Sequence, residues 1–131
     1  MSKVLIVDKS IDRKKRIAAL KERGLAVFPA LQLADARSRT KPGTYDLVIV
    51  NAQDEPEMAG SFCEELSART PPQAVLLATA NGSGPAGKDY VVQDNPQILA
   101  ERAAALLGHT GKTEAEGQEQ GQDPDATRAT A

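Results

Sequence analysis

The sequence predicts an α/β domain, in which a parallel sheet carries helices on both faces. Two observations carry this expectation. Five short runs rich in Val, Leu and Ile recur between residues 3 and 93, and stretches with helical spacing alternate with them. The third run, Leu47-Val48-Ile49-Val50, is apolar throughout, as a buried strand requires.

Taken in order, Lys3 to Asp8 forms the first strand. A helix is expected from about residue 11 to residue 23, with Ile17 and Leu20 on its buried side and Gly24 as a left-handed cap. Leu25-Ala26-Val27-Phe28 reads as the second strand, followed by a short helix over residues 31–39 and the turn Lys41-Pro42-Gly43. The third strand ends at Asn51, at the carboxyl edge of the sheet where open α/β folds place their ligands. A third helix is expected over residues 58–69, where Met58, Phe62 and Leu66 recur at i, i+4 and i+8. Cys63 lies beside that stripe and reads as a buried, inert thiol. The fourth strand covers residues 75–79. Only the ten residues Ala80 to Asp89 link it to the fifth, and their three glycines and one proline oppose a helix there. The fifth strand runs from Tyr90 to Gln93. The last helix starts at Asp94 or Asn95 as cap with Pro96 in its first turn, lines one face with Leu99, Ala103 and Leu106, and stops at Gly108.

The 131 residues suffice for one such domain and a tail. Residues 1–108 form the expected domain, with a net charge of +1, and residues 109–131 carry −3. That tail holds Glu114, Glu116, Glu119, Asp123 and Asp125 against Lys112 and Arg128, and has no Val, Ile, Leu, Met or aromatic residue. It cannot bury enough apolar surface to offset its conformational entropy, so the sequence predicts disorder. His109, the single histidine, has no second ligand near it in such a tail, and metal binding is not expected. No apolar stretch reaches the ~18 residues of a membrane span, and Met1-Ser2-Lys3 leads into a strand without a signal-peptide pattern. A cytoplasmic protein is expected. The lone Cys63 suits a reducing compartment and forms no internal disulfide.

Five segments agree in order and spacing with the receiver domain of bacterial response regulators, which residues 3–108 resemble. Lys3-Val4-Leu5-Ile6-Val7-Asp8 matches the family's first strand and leading acid, and Asp46 to Asn51 its third strand. Pro56-Glu57-Met58-Ala59-Gly60 follows as in the family's next loop and helix. Val75 to Ala80 matches the fourth strand with hydroxyl residue Thr79, and Asp89 to Gln93 the fifth, with Tyr90 at the switch-aromatic position. The resemblance implies a flavodoxin-like doubly wound sheet of strand order 2-1-3-4-5, here with the fourth helix missing or reduced. It also implies what has been lost. The family's phosphoacceptor aspartate is Asn51, its second metal-binding acid is Lys9 and its phosphate-binding lysine is Gln93. An amide is a poor nucleophile where an acyl phosphate must form, and Asp8 beside an ammonium is a poor magnesium site. Two placements of Lys9 stay open: turned inward against Asp8 in place of the metal, or directed to solvent.

Two other motifs carry less. Gly82-Ser83-Gly84-Pro85-Ala86-Gly87-Lys88 has phosphate-loop spacing, but Asp89 follows instead of Ser or Thr, and a strand instead of a helix. Arg13-Lys14-Lys15-Arg16 is a basic cluster in a chain of pI about 5.4 with four aromatic residues, a composition that disfavours nucleic-acid binding. Arg13, Lys14 and Arg16 are instead a candidate docking patch for an acidic protein, or for the chain's own tail. The sequence thus points to a stand-alone pseudo-receiver in two-component or phosphorelay signalling. It would be no enzyme, need no cofactor or metal, and act through a signalling partner, with a second copy of the chain as one admissible partner. The alternatives are an atypical receiver answering to phosphate or a small ligand near Asp8, Asn51, Thr79 and Gln93, and a nucleotide binder using the Gly82–Lys88 loop.

Overall fold

The computed structural model describes residues 2–52, 56–80, 82 and 90–108. The expected short connection over residues 80–89 and the acidic tail fall largely or wholly outside these residues, as does the phosphate-loop motif beyond Gly82. Strands β1 (Lys3–Val7), β2 (Ala26–Ala30), β3 (Leu47–Asn51), β4 (Val75–Thr79) and β5 (Val91–Gln93) form one parallel sheet in the order β2-β1-β3-β4-β5. Helices α1 (Arg13–Glu22), α2 (Leu33–Arg39), α3 (Pro56–Ser67) and α4 (Pro96–Leu106) cover it.

Strand alternation divides the core in two. Val4, Ile6, Leu47, Ile49, Leu76 and Ala78 point to the side of α1 and α4, where Ala19, Leu20, Leu99 and Ala103 meet them. Leu5, Val7, Val48, Val50, Val75 and Leu77 point the other way, onto Ala36, Ala59, Phe62, Cys63 and Leu66. Both faces are covered, which is why the central strands are apolar at every position.

Several boundaries and faces differ from the sequence expectation. α1 begins at Arg13, two residues late: Ile11 and Asp12 form a turn before it, and Ser10 N–H donates to the Asp8 carboxylate at 2.8 Å. On α3 the buried stripe is Ala59, Phe62, Cys63 and Leu66, at i, i+3, i+4 and i+7, and Met58 lies off that face at 58% exposed. On α4, Leu99 and Ala103 are buried as expected, but Leu106 is half exposed at the end of the last turn. Asn95 is the cap of α4, its side chain accepting from Gln97 N–H at 3.0 Å and Ile98 N–H at 3.1 Å. Gly24 and Gly108, just past α1 and α4, both adopt positive φ, at 81° and 78°.

Candidate functional site

Parallel pairing brings the carboxyl ends of four strands together. Val7 pairs with Val50, Asn51 with Ala78, and Thr79 with Gln93, so Asp8, Asn51, Thr79 and Gln93 end neighbouring strands along one edge. Asp8 is 3% exposed, and Gln93 faces solvent. The Thr79 hydroxyl is buried and has no hydrogen-bond partner among the described residues.

The cation that meets Asp8 is Arg16. Its Nη1 donates to Asp8 Oδ2 at 3.0 Å and to Ser10 Oγ at 2.9 Å, and its Nε donates to Asp94 Oδ1 at 2.5 Å. Asn51 Nδ2 reaches Asp8 Oδ2 at 3.5 Å and Asp94 Oδ2 at 3.4 Å, two long hydrogen bonds. The four side chains close a ring: Arg16 joins the two carboxylates from one side and the Asn51 amide joins them from the other. The ring ties the end of β1, the first turns of α1, the end of β3 and the β5–α4 junction into one unit. Only the amino end of the Asn51 amide fits between two carboxylates, because an oxygen there would face like charge. Burial alone lowers the Arg16 pKa, but the hydrogen bond to Asp94 and the charges of Asp8, Asp94 and Asp12 outweigh it, so the pKa is raised and the guanidinium stays charged.

This geometry decides one placement that the sequence left open and corrects one expectation. Lys9 is exposed, and the counter-ion of Asp8 is a guanidinium from α1. Arg16 is 5% exposed and is no part of a surface patch. A planar fork with several donors can bridge two carboxylates at once, which an ammonium at the Lys9 position does less well. Of the other two patch residues, Lys14 is exposed, while Arg13 is half-buried and donates to Ser10 O at 3.0 Å. The cleft sets two carboxylates, Asp8 and Asp94, against the Arg16 guanidinium.

Sequence reasoning therefore missed Arg16 and Asp94 as cleft residues. A signal for Arg16 was present: it lies three and four residues before Ala19 and Leu20, on the apolar side of α1. Nothing local marks Asp94, which meets Arg16 across 78 residues of sequence and reads as a helix cap. Tyr90, the switch-aromatic position, is half-buried against the α3 side of the core and donates its hydroxyl to Glu64. Its pKa is raised by burial and by that hydrogen bond. Among the described residues no three His, Cys, Asp or Glu side chains are placed to hold a metal, and no helix is long and apolar enough to cross a membrane.

No protein-family model and no curated protein matches the sequence. Solved structures do match in fold. A response regulator from Thermotoga maritima superposes with a TM-score of 0.65 at 21% identity, covering 82% of this chain and 98% of that one. An orphan response regulator of H. pylori gives 0.60 at 18% identity, over 81% and 96% of the two chains. A response regulator receiver protein from Burkholderia phymatum gives 0.50 at 21% identity, over 86% and 100%. With its strand order 2-1-3-4-5, the chain has the flavodoxin-like fold of response-regulator receivers.

Proposed function

We propose that this chain is a pseudo-receiver: a signalling module that works by contact with a separate protein, independently of phosphorylation and without catalysis. The ring of Arg16, Asp8, Asn51 and Asp94 is the observation that supports this reading most. Phosphoryl transfer to a receiver needs a free carboxylate nucleophile, a hydrated Mg²⁺ and a cation for the phosphoryl oxygens. Here the nucleophile position holds an amide engaged with two carboxylates, a guanidinium takes the charge a metal would balance, and Gln93 offers no cation. Incubation with acetyl phosphate and Mg²⁺, followed by intact mass measurement, should give no phosphoryl adduct. A stable adduct on any cleft residue would overturn the proposal.

Contact with a partner would then use the folded surface. Lys14, Lys15 and Lys21 on the outside of α1 are exposed and form an electrostatic face for an acidic protein. Charge reversal at Lys14 and Lys15 should slow association and weaken its salt dependence. The unpartnered Thr79 hydroxyl favours a second reading, a small ligand bound at the strand ends. A melting temperature raised by inorganic phosphate or by ATP would support that reading.

A further inference from the structure

We infer that the acidic segment of residues 109–131 docks on the outer face of α1 in the same molecule. This inference does not depend on the signalling proposal. α1 and α4 lie side by side on one face of the sheet, and both follow parallel strands, so they run in the same direction. Their amino ends are joined by the Arg16–Asp94 ion pair. At the other end, Leu107 packs into the cluster that holds Ile17, Leu20 and Leu25. The chain therefore leaves α4 at the same end of this helical layer as the carboxyl end of α1, which carries Lys21 and Arg23.

The face it meets there is cationic. Lys14, Ala18 and Lys21 form an exposed stripe at i, i+4 and i+7, with Lys15 alongside. Lys15 pairs with Asp12 at 3.9 Å, whereas Lys14 and Lys21 have no ion-pair partner among the described residues. The first carboxylate of the segment, Glu114, comes six residues after Gly108, a reach of about 20 Å when extended. The ten residues of α1 span about 15 Å. Glu114, Glu116 and Glu119 can thus be laid along the stripe without stretching the chain. The segment's net charge of −3 complements the face, and the covalent link holds it at an effective concentration in the millimolar range. Such a contact is electrostatic, so salt releases it, and an acidic partner of α1 must displace it.

The test uses the full chain with a nitroxide at Gln118→Cys. The native Cys63 needs no replacement: it is buried, and burial together with the Glu64 charge pushes its thiol up to about 12, so the label reacts at the new position. At low salt the amide signals of residues 14–21 should lose at least half their intensity relative to the reduced label, and recover at about 0.5 M salt. The loss should also disappear in labelled chains carrying Glu114→Gln, Glu116→Gln and Glu119→Gln, changes that leave every described residue untouched. Broadening centred on another surface, broadening unaffected by salt, or no localised broadening would each overturn the inference.

Discussion

Replacing Arg16 with methionine should produce the largest loss of stability of any single charged residue in the described domain. The stem of Arg16 packs beside Ala19 and Leu20 on the buried side of α1, and methionine conserves much of that volume. What is lost is the guanidinium, with its hydrogen bonds to Asp8, Asp94 and Ser10. Two carboxylates, at 1% and 11% side-chain exposure, then share a cleft in which the Asn51 amide and the Ser10 N–H are donors among the described residues. Truncating one partner of a buried ion pair costs about 3–5 kcal/mol. The remaining donors place the expected value near the lower limit, about 3 kcal/mol. In a domain of this size that lowers the melting temperature by roughly 12–24 °C. Arg16→Lys keeps the charge but not the fork, so it should recover about half of the loss. Urea unfolding of the three proteins measures both values. A loss below about 1 kcal/mol for Arg16→Met would refute the reasoning, because a guanidinium that matters so little is not the counter-ion of the cleft.

Three further expectations are independent of that ring or bear on it from another side. Lys9→Ala should change stability by less than about 1 kcal/mol, since Lys9 is exposed; a loss matching Arg16→Met in urea unfolding would restore Lys9 as the cleft cation. Asn95→Ala should cost about 1 kcal/mol through the lost cap of α4, and an unchanged urea midpoint would contradict the observed capping bonds. Cys63 has an ordinary value of 9.0 and is pushed up to about 12 by burial and the neighbouring Glu64 charge. Between these values the unfolded thiol ionises while the folded one keeps its proton, so stability falls as pH rises. Taking the wild type from pH 8 to pH 10.5 should therefore cost about 2 kcal/mol more than it costs Cys63→Ala, and parallel profiles would show that the thiol is not buried.

Much of this architecture was legible because it is set by local pattern. Strands covered on both faces leave continuous apolar runs, and glycines past α1 and α4 mark helix ends, so all five strands and all four described helices could be placed within a few residues. The faces were less legible. Met58 belongs to the i, i+4 stripe of α3 by spacing, yet the buried face follows Ala59, Phe62, Cys63 and Leu66 and leaves Met58 at its flank. The rotation of a helix about its own axis decides such cases, and two stripes one residue apart are hard to distinguish by spacing. The single positions of the cleft were legible, and the contacts that join them were not. Asn51, Lys9 and Gln93 could be read against a resemblance, one position at a time. Arg16 and Asp94 find each other only through the tertiary fold, and a basic residue within Arg13-Lys14-Lys15-Arg16 reads as solvated when its helical phase is not weighed.

The central claim is that the cleft is filled by the protein's own guanidinium and does not take up a metal and phosphoryl group. Amide spectra of the full chain, titrated with Mg²⁺ and then with beryllofluoride, test it most directly. The account predicts no saturable shifts at Asp8, Asn51, Thr79 or Gln93 in the unsubstituted protein. Saturable shifts at those residues, with Mg²⁺ alone or with beryllofluoride added, would show that Arg16 yields the site and would contradict the account.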